Sequence, residues 1–210
     1  MYVPAAFAEK NLETLYALIE DHGFATLVSN TSDGPVATHL PIMLDRTRGA
    51  QGTLVAHLAR ANPHARALDG AEALAIFQGP HGYISPSWYG QHPSVPTWNY
   101  AAVHAYGRAR TIDDPAQLDA VVRALVDQYE SGRAKPWSVD GLPADYMKGM
   151  LRGIVGVEIE ITRLEGKLKL SQNRNAADRK TVIAALEEST SAEDRSLGAY
   201  MARHAAPPSG

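Results

Sequence analysis

The chain contains no cysteine. That excludes a disulfide scaffold, thiolate zinc, an iron–sulfur cluster and a cysteine nucleophile. A reducing cytoplasm is the expected compartment. Strong charge of either sign is also lacking: 20 Lys and Arg against 23 Asp and Glu give a formal net charge of −3. Bulk charge therefore does not mark a polyanion binder. No apolar run approaches the ~18 residues of a membrane span. Residues 1–10 lack the basic-then-apolar order of a signal peptide. The phosphate-binding glycine motifs are missing, both G-x-G-x-x-G and Walker A, and so are H-E-x-x-H and G-x-S-x-G. Dinucleotide-fold oxidoreductases, nucleotide triphosphatases, zincins and α/β-hydrolases lose their usual support, and no metal-ligand motif stands out.

What is present reads as one globular domain over residues 1–210, with a short disordered tail over about 205–210 (A-A-P-P-S-G). Leu12, Leu15, Tyr16, Leu18 and Ile19 recur at helical spacing between Asn11 and Gly23. Strand-like runs follow at 24–30, 35–44, 53–58 and 73–78, the first two joined by a T-S-D-G turn. Asn62-Pro63 predicts a capped helix start running to about Leu68. Asp114-Pro115 opens the strongest helix, with Leu118, Val121, Val122, Leu125, Val126 and Tyr129 on one stripe. A shorter helix is expected at 144–151, an alternating strand at 154–161 and a last helix at about 176–188. The pattern predicts an α+β fold, an antiparallel barrel with peripheral helices.

Three clusters carry candidate chemistry. In A-T-H-L-P (37–41) and A-H-L-A-R-A-N-P (56–63), two neighbouring strands each hold a His, and the second runs into the capped helix. A helix start offers N–H groups and a positive dipole end to a phosphate; ordinary hydrogen-bonded strand histidines are the competing reading. The second cluster lies in residues 73–107, which hold seven aromatics, four prolines, three histidines and no Asp, Glu, Lys or Arg. Such a stretch suits a subunit interface or a slot for a planar ring. The third is K-L-K-L-S-Q-N-R (167–174). Six basic and two acidic side chains between Arg163 and Lys180 leave a local +4. Its lysines either face an anionic ligand or protect an edge strand.

In this order the clusters resemble the PaiB-like FMN-binding negative transcriptional regulators. The matching pieces are M-Y-V-P-x-x-F, A-T-H-L-P, H-L-A-R-A-N-P, G-P-H-G-Y-I-S-P-S-W-Y, V-P-T-W-N-Y-A-A-V-H-A-Y-G and E-G-K-L-K-L-S-Q-N-R, spanning Met1 to about Leu186. The resemblance implies a split β-barrel, usually a homodimer, with FMN in a groove between subunits. It places phosphate and ribityl contacts at Thr38, His39, Leu40, His57, Leu58, Ala59 and Asn62. Trp98, Asn99, Tyr100, Lys169, Gln172 and Arg174 are the candidates for closing the site from the second subunit. Arg60 is the one cation on the phosphate-side strands. A repressor is the function the family name implies, with the basic segment 163–180 as the DNA candidate. An FMN-dependent reductase or oxidase is the alternative. No catalytic residue is assigned, though His81 and His104 lie in the right region.

Overall fold

A computed structural model describes residues 1–204; the expected tail at 205–210 lies outside the described residues. The chain divides into two compact units, each assembled from separate stretches. One comprises residues 22–77 and 104–164, the other residues 1–21, 78–103 and 165 onward.

The elements are β1 (Ala8–Glu9), α1 (Leu12–Asp21), β2 (Phe24–Thr31), β3 (Gly34–Asp45), β4 (Thr53–Ala59), α2 (Pro63–Leu68), β5 (Glu72–Ile84), β6 (Thr97–Ile112), α3 (Pro115–Glu130), α4 (Ala144–Arg152), β7 (Ile154–Lys169), α5 (Ala176–Glu187) and α6 (Ala192–Arg203). The strands form one antiparallel sheet in the order β1-β7-β4-β3-β2-β5-β6, and a further β6–β7 pairing closes it. The α+β barrel expected from the strand pattern is what the chain builds.

The first unit carries the barrel walls. β2 and β3 pair from Phe24↔Pro41 to Thr31↔Gly34, and Gly34, at φ +113°, makes the turn that Asp33-Gly34 predicts. β4 joins β3 through Met43↔Val55 and β7 through Thr53↔Glu160 to Ala59↔Ile154. Alternation puts Leu54, Ala56 and Leu58 on one face of β4 and Val55 and His57 on the other. Val55 packs with Met43, Ile112, Leu118, Val121 and Leu151, so α3 and α4 cover that outer face. The Asp114 cap is as expected: its side chain accepts from the Gln117 N–H at 2.9 Å.

In the second unit α5 and α6 pack on each other, with Val182, Leu186 and Leu197 fully buried. The sequence reading ended the fold at a helix near 188. The structure corrects this with α6, capped by Ser191 and carrying Leu197, Tyr200 and Met201 inward. The strand expected at 154–161 runs on to Lys169. The uncharged 73–107 stretch resolves into parts of two long strands, β5 and β6, with a short 3-10 turn at Pro86–Trp88 between them.

Candidate functional site

The candidate residues fall into two sets, one in each unit. In the first, β3 places Thr38 and His39 on opposite faces of the sheet. His39 lies exposed on the outer face, hydrogen-bonded to Thr26 at 3.0 Å and stacked on Phe24. Thr38 belongs instead to a half-buried polar cluster. Its hydroxyl is 2.8 Å from His64 Nδ1 and accepts from Asn62 Nδ2 at 3.3 Å. The other nitrogen of His64 is 2.9 Å from the Ser29 hydroxyl. A neutral imidazole has one donor and one acceptor nitrogen, which suits two hydroxyl partners. Burial pushes the His64 pKa down and keeps it neutral. Leu40 and Leu58 are buried core residues, and Ala59 is exposed at the strand end. Strand alternation thus prevents the seven candidates of this unit from lining one surface.

The start of α2 also differs from the simple phosphate cradle. Pro63 has no N–H, the Asn62 side chain accepts from the His64 N–H at 3.0 Å, and the Ala65 N–H goes to the Asn62 carbonyl. The first turn is satisfied internally. Arg60 is committed as well: its guanidinium donates to the carbonyls of Arg152 and Ile154 and pairs with Asp113 at 2.7 Å. The cation left exposed on this corner is Arg66, in the last turn of α2. Sequence reading passed over Arg66 and His64 because neither lies in a strand motif. The Pro63-to-Leu68 helix length was the available signal, since it sets His64 inward and Arg66 outward.

His57 stands apart from Thr38 and Asn62. It lies one alternation beyond Val55 on the outer face of β4, and its buried Nδ1 has no hydrogen-bond partner. Burial lowers its pKa. A cavity of this unit, about 700 Å³, is lined by Arg48, Asp69, Arg108, Arg110, Glu158 and Glu160. Two of its arginines, Arg48 and Arg110, both reach Glu158. Although burial opposes it, those two guanidiniums hold the Glu158 carboxyl below its usual range.

In the other unit Trp98 is about half exposed, stacked on His81 at 6.0 Å between centroids and met edge-on by Tyr83. His81 Nε2 lies 2.9 Å from Glu193. Lys169 is fastened to β6, donating to the Thr97 hydroxyl and, at 2.6 Å, to the Trp98 carbonyl. Burial first, then neighbouring Lys167, lowers its pKa. Lys167 donates to the Tyr2 carbonyl and lies over the Tyr2 and Tyr100 rings. Leu168 and Leu170 are buried on the opposite face, as the alternation predicts. Gln172 braces its own turn, accepting from the Leu170 N–H and donating to the Leu168 carbonyl. Arg174 stacks on Tyr89 and reaches Ser94. Asn99 is fully buried and donates to Ser171 Oγ at 2.9 Å, while its Oδ1 has no partner.

Comparison with known proteins gives this arrangement a family. Mycobacterium smegmatis has an FAD and haem binding protein whose structure matches with a TM-score of 0.61 at 20% identity, covering 85% of this chain and 79% of that one. The flavocytochrome Anf3 of Azotobacter vinelandii matches with a TM-score of 0.60 at 17% identity, covering 83% and 75%. At these identities the likeness shows the fold alone, a split barrel. The Bacillus subtilis protease synthase and sporulation protein PAI 2 is 35% identical over 202 residues, 96% of each chain. Residues 1–163 match the family described as "Putative FMN-binding domain". The chain belongs to this FMN-binding family.

Proposed function

We propose that the chain is a cytoplasmic, homodimeric flavoprotein of the PaiB-like regulator type, holding FMN at the corner of β3, the end of β4 and α2. The donor set there carries the reading. The exposed guanidinium of Arg66 suits the phosphate of FMN, and the half-buried Thr38 hydroxyl and Asn62 amide, bonded to each other, border it with polar atoms that a purely apolar corner would lack. Bound FMN supplies the redox chemistry itself, so the protein need only hold and orient it. Trp98 and Tyr83, exposed in the uncharged stretch, are the surface proposed to close over the ring from the second subunit. The lysines of the basic run are already engaged within the chain, which favours a flavin-centred role over direct contact with DNA.

FMN titration followed by flavin fluorescence tests the site. Arg66→Ala and Asn62→Ala should each weaken FMN by about one order of magnitude, Arg66→Ala by up to two, because a charged contact contributes ~1.5–3 kcal/mol. His22→Ala, outside every motif, should bind as the parent does. Equal affinity in all three variants would remove the corner assignment, and a stable monomer in sedimentation would remove the shared site.

The pairing of His81 with Glu193, with the imidazole stacked on Trp98, supports a second reading as an FMN-dependent oxidoreductase. There His81, oriented by Glu193, would hold a proton beside the ring. Turnover with reduced nicotinamide and dioxygen that His81→Asn abolishes at unchanged FMN affinity would favour it.

A further inference from the structure

The first turn of α3 and the last turns of α4 border a cavity of about 390 Å³, to which Arg60 and Asp113 also contribute. Pro115 and Leu118 share one face of α3, and Lys148, Leu151 and Arg152 share one face of α4, by their helical spacing. Leu118 and Leu151 belong to the core packed on the outer face of β4, so the floor of the cavity is apolar. The rim is cationic. Arg60, Lys148 and Arg152 stand there against one carboxylate, Asp113, a local +2 in a chain of net −3. Asp113 is spent on Arg60, which two carbonyls also hold in place. Lys148 meets Asp145 only at 3.7 Å, between exposed side chains, where an ion pair is worth little. Arg152 is exposed, and its guanidinium has no acid partner among the described residues.

We propose that this cavity binds a small aliphatic carboxylate, its head on Arg152 and Lys148 and its chain over Pro115 and the edge of Leu151. The methylene stems of the three rim cations extend the apolar surface that the chain covers. Two unspent cations at the mouth suit a carboxylate, through charge-assisted hydrogen bonds that water alone does not replace. The lining residues include no aromatic ring, so an aliphatic chain matches them better than a planar ring does. The volume lies in the range of small-molecule sites. Thr38, Asn62 and Arg66 of the proposed FMN corner take no part in this cavity, so the inference does not rest on the FMN reading.

The experiment is an NMR titration of the full chain with hexanoate, 1-hexanol and acetate, following the backbone amides of residues 116–118 and 148–153. 1-Hexanol keeps the chain and lacks the charge; acetate keeps the charge and lacks the chain. Hexanoate should shift these amides saturably and bind about tenfold more tightly than 1-hexanol, the ratio one charge-assisted contact confers. It should exceed acetate by at least as much, because each buried methylene contributes about fourfold. Lys148→Gln combined with Arg152→Gln, both on exposed side chains, should lower hexanoate to the affinity of 1-hexanol and leave FMN titration as in the parent. The proposal is overturned if hexanoate gives no saturable shift at these amides, if acetate matches it (ion pairing at the rim only), if 1-hexanol matches it, or if the double variant binds hexanoate as the parent does.

Discussion

Asn99 donates to the hydroxyl of Ser171 at 2.9 Å, and Ser171, alone among the described non-glycine residues, has a left-handed backbone, with φ +63°. Both are buried, and the Arg174 N–H closes the turn on the Ser171 carbonyl. In the turn that ends β7, which Gln172 also braces, this side-chain bond therefore holds Ser171 against a backbone preference of order 1–2 kcal/mol. Ser171→Ala keeps the unfavourable backbone and loses the bond, with an expected destabilisation of about 1–2 kcal/mol. Ser171→Gly loses the same bond but relieves the backbone. Urea unfolding should rank Ser171→Gly about 1 kcal/mol above Ser171→Ala. The reverse order would mean that the hydroxyl does more than fix the turn.

His64 ties Ser29 on β2 to Thr38 on β3. His64→Ala strands two hydroxyls, one of them in buried Ser29, and should cost about 2–4 kcal/mol. The pH dependence follows from the direction of its shift. Burial lowers the folded pKa below the ordinary 6.5, so the unfolded chain binds the proton first on acidification. Stability from this group is whole above about pH 6.5 and is lost as pH falls toward the folded value. His57 and His204 shift in the same direction, both first through burial. Thermal midpoints should fall between pH 7 and pH 5, and His64→Ala should flatten that slope without removing it.

Two glycines on long strands should respond differently to a methyl group. At Gly107 an added Cβ would stand 2.1 Å from the Glu160 carbonyl oxygen, where β6 and β7 meet. Backbone cannot step aside there without opening the barrel. At Gly166 the closest atom, also at 2.1 Å, is the tip of the Leu15 side chain, with the Glu9 carbonyl oxygen at 3.0 Å. Leu15 can change rotamer. Gly107→Ala should cost about 3 kcal/mol or more and Gly166→Ala about 1–2 kcal/mol in denaturant unfolding. Comparable losses would place the barrel closure elsewhere.

The elements that local chemistry specifies were legible in the sequence. Asp114 before Pro115, Asn62 before Pro63 and Asp33 before Gly34 name their own caps and turn, and the apolar stripe of α3 names its buried face. The site was less legible, because a motif is linear and a strand is two-sided. Thr38 and His39 are neighbours in A-T-H-L-P yet look in opposite directions. Arg60 resembles a phosphate ligand by position, but carbonyls and a carboxylate from distant sequence claim it. His64, the histidine that organises the β2–β3 corner, escaped notice because burial, rather than residue type, gives it its role. The helix α6 was missed although Ser191 and Asp194 form a readable cap, because Gly198 interrupts its apolar stripe. That glycine lets α6 approach Leu186 and Glu187 closely.

Lys169 decides between flavin and DNA as the partner of the basic run. Its ammonium group is tied to the Thr97 hydroxyl and the Trp98 carbonyl, on the strand that presents the exposed indole. A lysine so held is poorly placed to neutralise duplex phosphates, and Lys167 beside it is likewise held over two tyrosine rings. Removing Lys169 frees the Trp98 backbone, and with it the aromatic surface proposed to cover the flavin. Lys169→Ala should therefore lower FMN affinity about tenfold through lost positioning. In a gel shift with the upstream DNA of its own gene, the parent and the variant should show the same weak, salt-sensitive retention or none. An unchanged flavin titration together with a fall in DNA affinity and in its salt slope would reverse the assignment and make the run a DNA contact.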